Sequence, residues 1–270
     1  MTNHFISRAA LSAVPAYYGF GIASHLFYPS YVKKVSGPTN FVITMLPKVF
    51  EKVSKLRNDI LLYRAPIPHS IALGTNFSPT ALLFYNNDLA SIDQNGIRFI
   101  LKHEIAHILY NDSFVACALA LAASVVSLLA LPYLQARCSS KLALLTYLIP
   151  FIVGKNIENL YMKFAEERAD NFAIAHATVE ELHAVKRNLE AEVAVNKELH
   201  VNYPHMFSSN GDMRIIYDPT HTPSSKRLKK MQDAINGRPD IIDSSKAERI
   251  VEEFKAYHRK HYIEHFKLPV

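Results

Sequence analysis

The chain has 270 residues, enough for one large domain or two small ones around a substantial hydrophobic core. Its net charge of +6 suits an anionic lipid surface or a nucleic acid. Nucleic acid is not an expected partner, because the sequence has no RNA-binding motif, zinc-finger spacing or GKS/GKT phosphate loop. The two cysteines, Cys117 and Cys138, are too few for a disulfide framework, so we expect structural thiols.

Residues 1–35 form an apolar N-terminal segment. Residues 9–32 contain no Asp, Glu, Lys or Arg, and about 20 apolar residues are enough to cross a bilayer. Prolines and glycines interrupt this stretch, and three interpretations remain open: a signal anchor, a cleaved targeting segment, or an apolar arm packed on the protein. We expect membrane association through this segment and a single main domain over residues 36–270.

The pattern from residue 40 onward predicts a helix, a short sheet and a second helix. An amphipathic helix beginning near Pro47 precedes a strand that ends near residue 64. Residues 69–74 and 80–85 are β candidates joined by the turn-like TNFSP, and together they predict a β-hairpin. The stretch IRFILKHEIAHILY then places apolar residues at helical spacing, so the strand pair leads into a helix.

An apolar hairpin is predicted for residues 113–154. Residues 113–136 carry no Asp, Glu, Lys or Arg and meet the length and composition expected of a transmembrane helix. The second apolar leg, residues 142–154, is too short for a hydrocarbon core about 30 Å thick at about 1.5 Å per residue. It is therefore a short span, a re-entrant piece or a buried helix. For both legs, a helical hairpin buried in a soluble core is the alternative.

The remainder of the chain is predicted to be mainly helical. Residues 155–177 and 178–199 form one helix each, and residues 200–223 form a loop. A last helix opens at a capping box made by Ser245 and Glu248 and runs nearly to the end of the chain. We expect a solvated or partly packed face on this helix, rather than a metal cluster, to carry three histidines: His258, His261 and His265.

The motif HEIAH at residues 103–107 has the spacing of a zinc hydrolase. His103 and His107 are one helical turn apart, so their imidazoles project from one face and can reach the same zinc ion. Glu104 can act on a water molecule that the metal activates. For so short a motif, solvent-exposed or core-capping histidines are the alternative. The preceding hairpin favours the zinc site, because zinc peptidases bind extended peptides along such an edge strand.

A third protein ligand is needed, because catalytic zinc is held by three protein groups and a water. Downstream, EERAD places Glu166 and Asp170 four residues apart on one helical face. Glu166 can complete a His₂Glu site, and Asp170 can accept a hydrogen bond from a ligand imidazole. Glu167 points elsewhere on the helix and is the reserve ligand. A solvated charged face is the alternative for the whole stretch.

Four stretches, in this order, resemble the M48 family of zinc metallopeptidases. SIALGTNFSPTALLFYNNDL resembles the hairpin ahead of the family's active-site helix, HEIAH matches its HExxH element, and EERAD matches its ExxxD element. HTPSSKRL resembles its H-P-x-x-x-x-R-[IL] segment, with Thr222 where proline is usual. EERAD departs from the family at Glu167 and Arg168, where aromatic or aliphatic residues are commoner. The resemblance covers residues 60–235, and the apolar insertion between HEIAH and EERAD resembles the layout of the HtpX-like membrane proteases.

This resemblance implies an α+β, mainly helical fold: a zincin-type catalytic domain with a small edge β-sheet and an inserted apolar helical hairpin. It implies one Zn²⁺ per chain, held by His103, His107 and Glu166, with Asp170 behind the ligands. Glu104 would be the catalytic acid/base.

The resemblance also implies that His221 and Arg227 orient the substrate or stabilise the oxyanion, although a turn and an ion pair explain both residues equally well. The expected function is zinc-dependent endopeptidase activity on protein or peptide substrates, in quality control or processing. The expected location is in, or tightly bound to, a membrane. The alternative is a non-catalytic, metal-stabilised membrane scaffold or chaperone-like binder of the same fold. The complete ligand set with Glu104 favours the enzyme.

Overall fold

The structure is a computed structural model that describes residues 13, 16–29, 31, 60–65, 71–78, 81–86, 89, 92–138, 146–238 and 247–268. Residues 16–29 are helical, and residues 146–148 form a 3₁₀ turn. The other elements, in chain order, are β1 (Ile60–Ala65), β2 (Ile71–Leu73), β3 (Ala81–Asn86), α1 (Gln94–Tyr110), α2 (Asp112–Gln135), α3 (Ile149–His176), α4 (Val179–Asn202), α5 (Ser224–Asn236) and α6 (Ala247–Phe266).

The three strands form one small sheet in the order β1-β3-β2. Strands β2 and β3 are antiparallel, with Ile71 opposite Phe84, so the predicted hairpin is confirmed. Strand β1 pairs with β3 in parallel, a non-local pairing that the hairpin pattern did not predict. Within the part of the chain that the structure describes, β2 has no strand on its outer side and forms an edge. The helix predicted from Pro47 lies outside the described residues.

Helix α1 is the central helix of the main core. Asp93 caps its first turn by accepting a hydrogen bond from the backbone N–H of Asn95, as is common at helix N-termini. Its apolar side chains pack against the sheet, α3 and α4, and Leu101 and Ile105 are fully buried. A buried ion pair between Lys102 and Glu181 joins α1 to the first turn of α4. The helix that carries HEIAH is therefore fixed on several sides.

Helix α3 runs without interruption through both the apolar and the polar stretches of its sequence. The sequence divided this region at residue 155, but the structure continues the helix from Ile149 to His176. Residues 142–145 of the predicted second apolar leg lie outside the described residues. Three fully buried alanines, four residues apart, let α3 approach α1 closely at the level of EERAD: Ala165, Ala169 and Ala173.

Helix α2, the apolar half of α3 and the helical residues 16–29 pack together beside the main core. The Tyr18 ring is buried against Ala120 and Leu128. On the outer face of α2, Val126 and Leu129 are 65% and 72% exposed. Among the described residues, α2 alone has the length and apolar composition of a membrane span, which core helices of soluble proteins also sometimes have. The first predicted apolar leg is thus one helix, and its outer face is apolar.

Helix α5 was not predicted from the sequence. The predicted loop over residues 200–223 begins three residues later in the structure, because α4 continues to Asn202. From residue 203 the chain has turns and an isolated bridge between Phe207 and Met213 before α5 begins. The last predicted helix is present as α6, and Ser245 of its proposed capping box lies outside the described residues.

The contact between α2 and α3 makes a first prediction, because a Cβ atom on Gly154 would collide with Ser124 Oγ and lie 2.7 Å from Tyr18 Oη. We expect Gly154→Ala to destabilise the protein by about 1–3 kcal/mol through overpacking. Gly19→Ala is the control, because its added Cβ meets no atom within 4 Å. Thermal unfolding of the purified variants measures both. Equal unfolding temperatures for the two variants would contradict this packing.

Candidate metal centre

The side chains of His103, His107 and Glu166 meet in the interior, between α1 and α3. The two Nε2 atoms are 3.1 Å apart. Glu166 Oε2 lies 3.2 Å from His103 Nε2, and Glu166 Oε1 lies 3.3 Å from His107 Nε2. All three residues are buried, and their possible ligand atoms lie within 4.8 Å of one another. The sequence-predicted ligand set is therefore brought together by the fold.

The spacing of these atoms fits a zinc ion. Ligand atoms about 2.1 Å from a tetrahedral zinc are roughly 3.4 Å apart. The separations of 3.1, 3.2 and 3.3 Å are close to that value. Two imidazoles and one carboxylate also form a donor set that catalytic zinc sites use.

His103 is held from behind by Asp170 and Arg227. Its Nδ1 atom lies 3.0 Å from Asp170 Oδ1. Arg227 donates two hydrogen bonds to the same carboxylate, from Nε at 2.9 Å and from a terminal nitrogen at 2.8 Å. Arg227 and His103 hold the pKa of Asp170 well below its usual range, although burial alone would raise it. An ionised carboxylate only accepts hydrogen bonds, so His103 donates from Nδ1 and presents Nε2 to a metal.

His107 is held in the same way by a second carboxylate, Asp112. Its Nδ1 atom lies 2.8 Å from Asp112 Oδ2. The other oxygen of Asp112 accepts hydrogen bonds from Arg168 and, at 3.1 Å, from the Tyr161 hydroxyl. Asp112 is fully buried, and the Arg168 guanidinium also stacks over the Tyr110 ring at 4.3 Å. Each candidate imidazole ligand thus has its own carboxylate and its own arginine.

Asp112, Tyr161 and Arg168 were missed by the sequence analysis. In the sequence, the only indication of these residues was the Asn111–Asp112 pair just after the predicted helix. Asn111 adopts the left-handed conformation, with φ of 57°, which asparagine tolerates better than most residues. This turn ends α1 and begins α2 at once, so Asp112 lies within reach of His107. Arg168, a departure from the family's pattern, is the partner of that aspartate.

The charges around the three candidate ligands favour a cation among them. Burial lowers the pKa of His103, but Glu166 and Asp170 outweigh burial and raise it to about 9. Burial also lowers the pKa of His107, and hydrogen bonds to Asp112 and Glu166 raise it to about 10. Burial raises the pKa of Glu166, yet the two imidazoles hold it well below its usual range. A divalent cation can replace the protons that these groups would otherwise hold.

Glu104 lies beside the candidate ligands without joining them. With them it lines a cavity of about 330 Å³, and Ala72 of the edge strand β2 lines the same cavity. Burial raises the pKa of Glu104, and His103 and His107 only partly reverse this effect. A carboxylate whose pKa is raised is better matched to proton transfer near neutral pH than an ordinary one.

The remaining predicted site residues lie in different surroundings. His221 lines the cavity, with a 48% exposed side chain, and its Nδ1 atom is 2.7 Å from Asp218 Oδ1. Arg227 also lines the cavity, but its guanidinium is engaged by Asp170. Glu167, the reserve ligand, is outside the cluster: its side chain is 52% exposed, and its carboxylate lies 3.9 Å from Lys226.

A mainly helical α+β fold with a small edge sheet, an inserted apolar helix and this His-His-Glu cluster defines a zincin-type domain. A family model described as Peptidase family M48 matches residues 59–235, well over half of the chain. The chain therefore belongs to Peptidase family M48, a family of metallopeptidases. Comparisons with curated proteins and with solved structures found no match.

The two carboxylates behind the imidazoles generate a second prediction. We expect Asp112→Asn and Asp170→Asn each to weaken zinc binding about 10- to 100-fold, because an amide no longer orients and polarises the imidazole. Competition with a chromogenic chelator measures the zinc dissociation constant directly. Glu167→Gln, one residue from a ligand but outside the cluster, is the control and should keep the wild-type affinity. Wild-type affinity in both aspartate variants would rule out their supporting role.

Proposed function

We propose that this protein is a zinc-dependent endopeptidase that cleaves protein substrates at a membrane, in protein quality control or processing. The observation that carries the proposal is the convergence of His103, His107 and Glu166 beside Glu104 in a cavity bordered by an edge strand. One Zn²⁺ per chain is the expected cofactor. Residues 36–270 would form the metallopeptidase domain, with residues 113–154 inserted in it, in the manner of the HtpX-like proteases.

A bound zinc ion would supply Lewis-acid activation of a water molecule and of the scissile carbonyl. Glu104 lies where it can take the proton from the attacking water, since it lines the cavity beside the ligands and is not one of them. The same carboxylate can pass that proton to the leaving nitrogen, so one residue serves first as base and then as acid. In this proposal, water and peptide both reach Glu104 through the cavity that it lines.

Strand β2 is suited to bind the substrate backbone. Its outer edge carries no other strand among the described residues, and Ala72 borders the cavity. An extended peptide can pair with this edge through main-chain hydrogen bonds, which hold it without regard to its sequence. Because pairing of this kind needs no free chain end, it supports cleavage within a chain.

His221 is the better candidate for stabilising the oxyanion, and Arg227 for positioning the site. Burial lowers the pKa of His221, but Asp218 and Glu166 outweigh it and raise the pKa above its ordinary value. With Nδ1 engaged by Asp218, Nε2 of His221 is the nitrogen left to donate to a developing negative charge. Arg227 acts on His103 through Asp170.

The peptidase proposal predicts that Glu104→Gln abolishes proteolysis and leaves metal binding intact. The amide cannot carry the proton, so we expect cleavage of fluorescent casein by the zinc-loaded, detergent-solubilised protein to fall at least about a hundredfold. Metal analysis should still find about one zinc per chain, because Glu104 is not among the candidate ligands. Glu167→Gln is the control and should cleave normally. Full activity in Glu104→Gln would refute the mechanism, and zinc binding with no cleavage by the wild type would leave the scaffold alternative.

The membrane part of the proposal is supported by α2, with its apolar composition and its exposed outer face. Exposed apolar side chains on such a face are costly in water and favourable in lipid.

Charged substitutions on the outer face of α2 test whether this helix inserts into a membrane. We expect the pair Val126→Lys and Leu129→Lys to shift the protein from the carbonate-resistant membrane pellet towards the supernatant, because a lysine at the centre of a membrane helix costs about 2.5–3.5 kcal/mol. The control pair is Ile215→Lys and Ile216→Lys, on a loop, with side chains 65% and 80% exposed. A wild-type protein that carbonate extracts, or a Val126/Leu129 variant that stays in the pellet, would argue against insertion of α2.

A further inference from the structure

The cavity beside the candidate metal centre extends into a space walled by three helices. Helix α1 contributes Phe99 and Ile100 one turn before His103. Helix α4 contributes four residues and helix α6 contributes four more, each set at helical spacing and therefore on one face. They are Val185, Asn188, Leu189 and Glu192 from α4, and Tyr257, His258, His261 and Tyr262 from α6.

Two hydrogen bonds, one turn apart, join α4 to α6 along this wall. His258 Nε2 lies 2.9 Å from Asn188 Oδ1, and the Tyr262 hydroxyl donates to Glu192 Oε1 at 3.1 Å. The family match ends at residue 235, before α6 begins. The α6 side of this wall therefore lies outside the residues that the family model covers, whereas the α4 side, with Glu192, lies within them.

Glu192 has one carboxylate oxygen that is not used by its neighbours. Oε1 accepts hydrogen bonds from both Tyr262 and Ser224. Oε2 accepts none from the residues that the structure describes, and none of their Lys, Arg or His side chains lies at ion-pair distance from Glu192. Burial keeps the pKa of the neighbouring His258 below its ordinary value, so that imidazole is neutral near pH 7 and does not balance the charge. Among the described residues, the cavity therefore holds a carboxylate without an ion-pair partner. The nearby Arg227, whose pKa is raised in part by Glu192, donates its hydrogen bonds to Asp170 instead.

Glu192 is near the reacting centre but separate from it. Ser224, which donates to Glu192, lies one turn before Arg227 on α5. Arg227 holds Asp170, which in turn holds His103. A peptide residue bound close to the zinc ligands can thus direct its side chain towards Glu192.

The walls beside Glu192 suit the stem of a long cationic side chain. Phe99, Val185 and Leu189 are buried apolar residues on the cavity lining. Lysine and arginine bury their methylene stems along apolar surface and place the charge at a polar end. The cavity, of about 330 Å³, is at the small end of the range for ligand pockets.

We propose that Glu192 and the α4–α6 wall form a specificity subsite for a lysine or arginine side chain of the substrate. This inference rests on the proposed peptidase function. The cationic group of that side chain would bind Glu192 Oε2, and its methylene stem would lie along the apolar part of the cavity.

The test uses sets of N-acetylated fluorogenic peptides. Each set varies one position near the scissile bond, which carries lysine, norleucine or glutamate, and a separate set is made for each position. We expect the wild type to prefer lysine over norleucine at one position by at least about tenfold in kcat/KM, which is the scale of one charge-assisted hydrogen bond. Glu192→Gln keeps the side-chain volume and the acceptor for Tyr262, and should reduce this preference to about threefold or less. Glu192→Asp keeps the charge and should retain a preference for a cationic residue.

The matched control is Glu198→Gln, which removes one charge from the same helix and a 2.5 Å ion pair with Arg259 of α6, without touching the cavity. It should keep the wild-type preference. Equal cleavage of lysine and norleucine peptides by the wild type, or an unchanged preference in Glu192→Gln, would overturn the subsite.

A binding measurement separates this subsite from the peptidase proposal. In the zinc-loaded Glu104→Gln background, the same peptides carrying a fluorophore report binding by anisotropy without being cleaved. We expect the lysine peptide to bind at least about tenfold more tightly than the norleucine peptide, and Glu192→Gln to remove the difference. Selective binding without cleavage by the wild type would support the subsite and refute the peptidase. Cleavage without selectivity would do the reverse.

Discussion

The geometry of this site depends on two carboxylates that hold the candidate imidazole ligands from behind. An imidazole on a helix can rotate about its side-chain torsions, and its two nitrogens can exchange roles. Asp170 fixes His103, and Asp112 fixes His107, each by a hydrogen bond to Nδ1. Both Nε2 atoms are then directed at Glu166, which is the arrangement a tetrahedral cation requires.

Each carboxylate is in turn balanced by an arginine, because a buried, unpaired charge is expensive. The two arginines come from different parts of the fold: Arg227 from α5, and Arg168 from α3 itself. Helix α3 carries Glu166, Arg168 and Asp170, and its apolar half packs along α2. Asp112 and Arg168, which orient His107, therefore lie where α2 and α3 meet the main core. Arg227, which holds Asp170 behind His103, comes from α5 instead. A structural change in the apolar hairpin should therefore alter the orientation of His107 before it alters that of His103.

The sequence predicted the parts of the site that depend on spacing within a helix. HEIAH places His103 and His107 on one helical face, and EERAD does the same with Glu166 and Asp170. In the structure, buried alanines of α3 lie where it packs on α1: Ala165, Ala169 and Ala173. The sequence did not predict Asp112, whose role depends on the left-handed turn at Asn111, or Arg168, whose partner is distant in the sequence. Helix α5 was missed because it is short and mostly polar and has no side-chain cap at its N-terminus, although Leu228, Met231 and Ile235 do recur at helical spacing. The α6 wall was missed for a different reason, since only tertiary packing brings Glu192 and Tyr262 together.

We propose that two imidazoles and a carboxylate hold one cation at the junction of α1 and α3. X-ray absorption spectroscopy of the zinc-loaded protein tests it most directly, because it counts the imidazole ligands and measures their distances. We expect zinc bound to two imidazole nitrogens and to oxygen atoms, at about 2.0–2.2 Å, with one imidazole fewer in His107→Ala. A zinc site with sulfur or three imidazoles, or a spectrum that does not change in His107→Ala, would contradict it.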